Sequence, residues 1–170
     1  MKNHFRPFFS ITVAFVLACF SALALAASPR PFTSHSLTDI RAHHADKPLI
    51  VHIWAMSCGP CIGELPKWGE FTRTHRGVDL VLVRFDQAPS DATASRLAQA
   101  GLSAVESWGV VSEPDEYLRA SVDAKWFGDV PRTLLIAPDG AVTSIRGVAD
   151  PQKVSAWLDS VEAASHRNAH

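Results

Sequence analysis

Apolar runs alternate along the chain with segments of helical periodicity, and this alternation predicts an α/β domain. Leu49–Trp54 and Val78–Phe85 are nearly continuous apolar runs, typical of strands buried on both faces of a sheet. Shorter runs predict further strands at Ser107–Val111, at Thr133–Ala137 and, after the turn Pro138-Asp139-Gly140, at Ala141–Arg146.

Five segments between these runs carry apolar residues at helical spacing. They are Ser36–Asp46, Ile62–His75, a helix from Ser90 to a stop at Gly101, Pro114–Val122, and a last helix that starts at Asp150-Pro151 and continues through Val161. Strands that alternate with helices and end in a hairpin and a helix predict a central mixed sheet with helices on both sides.

The first residues have the pattern of an export signal. Lys2 and Arg6 precede a largely apolar run, Phe8 to Leu25, and Ala24-Leu25-Ala26 supplies the small residues at which a signal peptidase cuts. We therefore expect a signal peptide over 1–26, a linker over 27–35, a folded domain over 36–165 and a tail over 166–170. Two variants stay open: an uncleaved membrane anchor, and a lipoprotein cut before Cys19.

Composition and charge exclude some classes of function. With 47% hydrophobic and 19% charged residues, the chain suits one globular domain. Its formal charge is -1, so no basic field is available for nucleic acid. Without 1–26 the chain keeps two of its three cysteines, Cys58 and Cys61, which are too few for a four-cysteine zinc site.

The pair Cys58-Gly59-Pro60-Cys61 falls between a predicted strand and a predicted helix. Such a C-x-x-C pattern can be a redox pair, half of a zinc site or a clamp for a soft metal. A thiol at the first turn of a helix faces unpaired N–H groups and the positive end of the helix dipole, which favour thiolate over thiol. This placement favours redox chemistry, with Cys58 attacking and Cys61, one turn further on, resolving the mixed disulfide.

The chain resembles the thioredoxin-like superfamily and, within it, the exported TlpA/ResA/DsbE branch. The resemblance rests on Trp54-Ala55 before the cysteines, Glu64-Leu65-Pro66 in the next helix, and Val130-Pro131 before the strand that ends at Pro138-Asp139-Gly140. It implies a thioredoxin-like fold with a TlpA-type insertion between the Val78 strand and Pro131. Ser57 departs from the pattern, because relatives often have an aromatic residue there.

The resemblance also implies roles for individual residues. His52 occupies the position of a buried aspartate of thioredoxin that moves protons for the second cysteine; the alternative is a hydrogen-bonded core histidine. Glu64 corresponds to an acidic residue near the active site; the alternative is an ordinary solvated helix glutamate. Val130-Pro131 corresponds to a cis peptide bond opposite the cysteines, where the backbone pairs with an extended partner. The residues expected at the partner-binding surface are Trp54, Gly59, Pro60, Val130 and Pro131.

The resemblance therefore implies a thiol-disulfide oxidoreductase that uses the Cys58/Cys61 dithiol to reduce protein disulfides in the bacterial periplasm. Cytochrome c maturation or a related assembly pathway is the expected setting. The expected partners are protein thiols and disulfides and a membrane electron donor or acceptor, with membrane contact only through an N-terminal anchor. No cofactor, resident metal or nucleic acid is expected.

A second interpretation rests on Met56, because Met56-x-Cys58-x-x-Cys61 is also a soft-ligand pattern suited to Cu(I). It describes a copper carrier or metallochaperone, for which a smaller domain with a flexible Gly-rich loop is expected. The histidines His43, His44, His166 and His170 lie in polar segments, where such residues are usually solvated.

Overall fold

The computed structural model describes residues 28–112 and 114–168, which form a six-stranded sheet and five helices. The strands are β1 Arg30–Phe32, β2 Leu49–Trp54, β3 Asp79–Arg84, β4 Glu106–Val110, β5 Arg132–Ile136 and β6 Val142–Arg146. The helices are α1 Ser36–His43, α2 Gly59–Thr74, α3 Ser90–Gln99, α4 Glu116–Val122 and α5 Pro151–Asn168.

The sheet is mixed, as the sequence predicts, and its order is β1-β4-β3-β2-β5-β6. Strands β1, β4, β3 and β2 run parallel, whereas β5 is antiparallel to β2, and β6 to β5. All six residues of β2 are buried, because this strand lies inside the sheet and has helices on both sides. The loop that follows β2 therefore begins at one end of the sheet, between two neighbouring strands and not at its edge.

Most element boundaries shift by one to three residues from the sequence expectation, and one segment changes its assignment. The segment 27–35, which we assigned to a linker, contains β1, which pairs with β4 at the sheet edge. A run of three residues with a central proline gives no periodic signal, although proline is tolerated on an edge strand. Helix α1 ends at His43 instead of Asp46, and α5 continues to Asn168, beyond the expected boundary at 165.

Two apolar cores lie on opposite faces of the sheet. We call them the α2 face and the α1 face. The buried core of the α2 face includes Ile50, Trp54, Leu82 and Leu135 of the sheet, and Cys61, Leu65, Trp68, Phe71, Leu97, Val154 and Leu158 of the helices. The buried core of the α1 face includes Phe32, Leu37, Ile40, Val51, Ile53, Val81, Val83, Phe85, Trp108, Trp126, Leu134 and Ile136.

Helix α2 approaches the end of α3 closely at Gly69. A Cβ atom at this position would collide with the carbonyl oxygen of Ala100. Glycine at this position therefore allows α2 to pack closely against the end of α3.

No helix within 28–112 and 114–168 is both long enough and apolar enough to cross a membrane. The predicted signal segment 1–26, including Cys19, lies outside the described residues.

Candidate active site

The cysteine pair lies where β2 passes into α2. Cys58 is the N-cap residue of α2, and its sulfur accepts a hydrogen bond of 3.1 Å from the backbone N–H of Cys61. Pro60 occupies the first turn, where its missing N–H costs nothing. The two sulfurs form a disulfide of 2.06 Å. The pair is therefore placed as the sequence predicts, at the positive end of a helix.

The two cysteines differ in exposure. Cys58 is half-buried, whereas the side chain of Cys61 is completely buried against the core of the α2 face. Gly59 and Pro60 between them are exposed. A partner can therefore approach the sulfur of Cys58 but not that of Cys61.

Val130 and Pro131 lie opposite the disulfide. Their peptide bond is cis, which confirms the sequence expectation. The carbonyl oxygen of Val130 lies 3.7 Å from the sulfur of Cys58. Val130 is half-buried and Pro131 is buried, so the peptide backbone, more than the proline ring, borders the accessible sulfur.

Asp86 holds the segment before Cys58, and the sequence analysis did not identify it. One carboxylate oxygen accepts a hydrogen bond of 3.1 Å from the backbone N–H of Met56. The other accepts bonds of 3.1 Å from the backbone N–H and from the hydroxyl of Ser57. Asp86 comes just after β3, the parallel neighbour of β2, so both strands end at the same edge of the sheet. In the sequence, the signal that could have predicted this role is the acidic residue directly after the apolar run Val78–Phe85.

Trp54 does not lie where the sequence interpretation placed it. Its side chain is fully buried in the core of the α2 face, because the last residue of β2 points toward the helices on that face. In this oxidised form Trp54 therefore supports the loop from within and does not contact a partner.

His52 is completely buried in β2. Its Nδ1 pairs with the hydroxyl of Thr133 at 3.0 Å, and its ring lies 5.1 Å from that of Trp68. Burial lowers the pKa of His52 to about 3. Moving a proton from an ordinary thiol, whose pKa is about 8.5, to such a ring would cost about 7 kcal/mol.

This cost argues against the proton-transfer role that the resemblance implies for His52. Among the described residues, no hydrogen bond joins the ring to either cysteine. The contacts favour a core residue whose ring stays neutral.

Glu64 is buried one turn after Cys61. Its Oε1 accepts a hydrogen bond of 2.8 Å from the backbone N–H of Ala149, while Oε2 has no partner among the described residues. Burial raises the pKa of Glu64, and the bond from Ala149 opposes this only in part. Glu64 therefore joins α2 to the loop before α5, and it is not the solvated glutamate typical of a helix surface.

Comparison with known proteins identifies the fold. No family model and no curated protein matches this sequence. A solved structure of a secreted Mycobacterium tuberculosis disulfide oxidoreductase homologous to E. coli DsbE matches with a TM-score of 0.54 and 19% identity, over 72% of this chain and 85% of that chain.

Two further solved structures are similar. A thioredoxin-related protein from Neisseria meningitidis serogroup B matches with a TM-score of 0.57 and 24% identity, over 70% of this chain and 87% of that chain. A DsbF homologue from Corynebacterium diphtheriae matches with a TM-score of 0.56 and 16% identity, over 71% and 75%. At these identities the comparisons show the fold, which is thioredoxin-like.

Proposed function

We propose that the protein is a thiol-disulfide oxidoreductase that reduces disulfides in partner proteins. The observation that carries this proposal is the arrangement of Cys58, whose accessible sulfur accepts an N–H bond at the start of α2 while Cys61 lies buried behind it. The same N–H and the helix dipole stabilise the thiolate once the disulfide is reduced.

The reaction is a pair of thiol-disulfide exchanges. The Cys58 thiolate attacks one sulfur of the partner disulfide; a bond forms between them, and the second partner sulfur leaves as a thiolate and takes a proton from water. The Cys61 thiolate then attacks the sulfur of Cys58 and releases the first partner sulfur. The partner gains two electrons, and the protein ends with the Cys58–Cys61 disulfide seen in the structure.

The surface around Cys58 suits an extended partner segment. Ser57, Gly59 and Pro60 are exposed, and the Val130 backbone lies beside the sulfur. The Val130 backbone can therefore pair with a peptide lying across the disulfide. Backbone pairing tolerates many sequences, which fits a protein that acts on several partners.

The proposed setting is outside the cytoplasm. The signal-like segment 1–26 supports export to the periplasm, with a membrane tether if that segment is retained. One structural neighbour is described as secreted and homologous to DsbE. Together with the sequence resemblance, these features support a reductant in cytochrome c maturation or a related assembly pathway, supplied with electrons by a membrane protein.

The Cu(I)-carrier alternative gains no support from the contacts. The backbone N–H of Met56 is bound to Asp86, and its side chain packs against the core of the α2 face. This segment differs from the flexible loop that we expected of a copper carrier.

Reduction of a disulfide-linked model peptide by the pre-reduced protein tests the proposal. We expect Cys58→Ala to abolish reduction and Cys61→Ser to accumulate a mixed disulfide through Cys58, visible by mass spectrometry. Retained activity in Cys58→Ala would overturn the assignment. If Met56→Leu loses Cu(I) affinity while disulfide reduction stays intact, the copper-carrier interpretation would replace the proposal.

A further inference from the structure

A cluster of ionisable side chains lies at the end of the sheet opposite Cys58. Asp79 and Glu106 are the first residues of β3 and β4, and His43 and His44 end α1. Cys58 instead lies beyond the last residue of β2, which runs parallel to β3. Six strand residues span about 20 Å, so this cluster and the disulfide are separate sites.

His44 is held between two carboxylates. Its Nδ1 lies 2.8 Å from Asp79 Oδ2, its Nε2 lies 3.2 Å from Glu106 Oε2, and its side chain is only 12% exposed. A neutral imidazole has one N–H, so it can donate to one of these oxygens only. The other nitrogen then faces a carboxylate oxygen with no hydrogen between them, an arrangement that a bound cation would stabilise.

We propose that His44 Nε2, Glu106 Oε2 and His43 bind a divalent transition-metal ion, with Zn²⁺ as the best match. In a tetrahedral zinc site with bonds of about 2.0–2.1 Å, neighbouring ligand atoms lie about 3.3 Å apart. The separation of 3.2 Å between Nε2 and Oε2 is close to this value.

His43 can complete the set of three protein ligands. Ligand atoms of His43, His44 and Glu106 all lie within 4.8 Å of one another. The ring of His43 is exposed, and its centroid lies 5.1 Å from that of His44. Imidazole and carboxylate donors suit Zn²⁺, and a fourth position remains for water.

His44 and Glu106 are each oriented by hydrogen bonds to residues that would not contact the metal. In the tautomer that carries its proton on Nδ1, His44 donates to Asp79, and the Nε2 lone pair is then directed at the site, as in a carboxylate–histidine–zinc triad. Glu106 Oε1 accepts hydrogen bonds from Trp108 Nε1 at 2.7 Å and from Arg30 at 3.1 Å, so Oε2 stays available for the metal.

Two cations weaken the site without blocking it. Arg30 lies beside Glu106, and Lys47 Nζ lies 3.9 Å from Asp79 Oδ2. Their side chains are 60% and 65% exposed, so solvent screens both charges. We therefore expect weaker binding than at a site with thiolate ligands.

Calorimetric titration of the oxidised full chain, carrying Cys19→Ser in every sample, with ZnCl₂ tests the proposal, because the disulfide prevents Cys58 and Cys61 from binding metal. We expect one saturable site whose affinity falls at least tenfold in His44→Gln and in Glu106→Gln. Asp79→Asn should weaken binding by about 10–100-fold. The matched control is His35→Gln, an exposed histidine outside the cluster, which should leave binding unchanged.

Titration with Co²⁺ gives a second readout, a visible absorption band typical of tetrahedral nitrogen and oxygen ligation that His44→Gln removes. Circular dichroism of each variant checks the fold. If His44→Gln does not fold, Glu106→Gln, which keeps the shape of the side chain, still tests the proposal. Absence of saturable Zn²⁺ binding by the parent, or equal binding by the parent and Glu106→Gln, would overturn the proposal and leave His44 as a hydrogen-bond partner of the two carboxylates only. The double variant Cys58→Ala/Cys61→Ala, which leaves no thiol of the pair, should bind Zn²⁺ like the parent, and this separates the site from the proposed redox function.

Discussion

The two faces of the sheet differ in how they accommodate buried polar groups. The core of the α1 face is aliphatic and aromatic. Beside it, the buried Arg132 is paired with Asp123 through Nη2, while its Nε and Nη1 have no hydrogen-bond partner among the described residues. The α2 face buries His52 and Glu64, and each has one polar atom without a hydrogen-bond partner among the described residues. The indole nitrogen of Trp54 on this face is unpaired in the same sense, whereas the indole of Trp68 lies close enough to Glu64 to oppose the rise of its pKa.

We interpret the buried polar groups near the cysteines as a loss of stability that is linked to function. A buried polar group without a partner costs about 1–3 kcal/mol. His52, Trp54 and Glu64 lie in β2 and α2, next to the cysteines, whereas on the α1 face the unpaired atoms belong to Arg132, which is far along the chain from the cysteines. We therefore expect changes on the α1 face to alter stability alone, and changes on the α2 face to alter stability, pH dependence and disulfide exchange.

The largest expected effect is on the pH dependence of stability, through His52. Its pKa of about 3 lies below the ordinary value of 6.5, so the unfolded chain binds this proton first. Stability is therefore present above pH 6.5 and is lost as the pH falls toward 3, by up to about 5 kcal/mol. Denaturant unfolding at pH 7 and pH 4 should show this loss in the parent and not in His52→Leu.

The same variant tests whether His52 transfers a proton. Single-turnover disulfide reduction should have the same pH profile in His52→Leu as in the parent, because a ring with so low a pKa is a poor base. A slower resolution step in the variant, with unchanged attack by Cys58, would restore the proton-transfer role and contradict our interpretation.

Matched truncations on the two faces should separate stability from activity. Ile40 on the α1 face and Leu65 on the α2 face are both fully buried. Replacement of either by Ala should cost about 2–5 kcal/mol. Only Leu65→Ala, which loosens α2 beneath the cysteines, should change the rate of disulfide exchange per folded molecule. Equal rate changes in both variants would remove the functional distinction between the faces.

Asp86 tests whether the loop before Cys58 must be held in place. Asp86→Ala removes the acceptor of three hydrogen bonds from Met56 and Ser57 and should cost about 2 kcal/mol of stability. We expect the rate of disulfide reduction to fall by about tenfold, which corresponds to about 1.4 kcal/mol. Asp86→Asn keeps one acceptor oxygen and should recover part of the rate. No change of rate in Asp86→Ala would make the contact purely structural.

The smallest expected effect concerns Glu64. Burial raises its pKa, so the folded state holds this proton more tightly than the unfolded chain does. The associated stability is present below the ordinary glutamate pKa and is lost as the pH rises through the folded value. Glu64→Gln should therefore gain stability relative to the parent between pH 4 and pH 7. A difference between the two that does not vary with pH would contradict the raised pKa.

Local signals in the sequence were sufficient for the central elements. The continuous apolar run of β2 and the spacing of Leu65 and Trp68 in α2 predict both elements and place the cysteines between them. The cis bond at Pro131 followed from the family resemblance. By contrast, β1 is too short to leave a periodic pattern, and its place in the sheet depends on pairing with β4, far away along the chain.

The missed contacts depend on pairing between distant segments. Asp86 reaches Met56 across 30 positions, and His44 reaches Glu106 across 62. Both contacts exist because parallel strands bring their corresponding ends together, which a local pattern does not encode. The sequence interpretation of His44 as a solvated histidine therefore differs from the structure, in which two carboxylates surround it.

The direction of strand β1 determines at which end of the sheet the chain enters the domain. Because β1 runs parallel to β4, the chain enters the sheet from the end at which β3 and β4 begin. Cys58 lies at the other end, beyond Trp54. A protein held by the residues before Ser28 would therefore present its disulfide away from the point of attachment. The length of those residues would set how far from that point Cys58 can meet a partner, and the sheet itself adds about 20 Å to that reach.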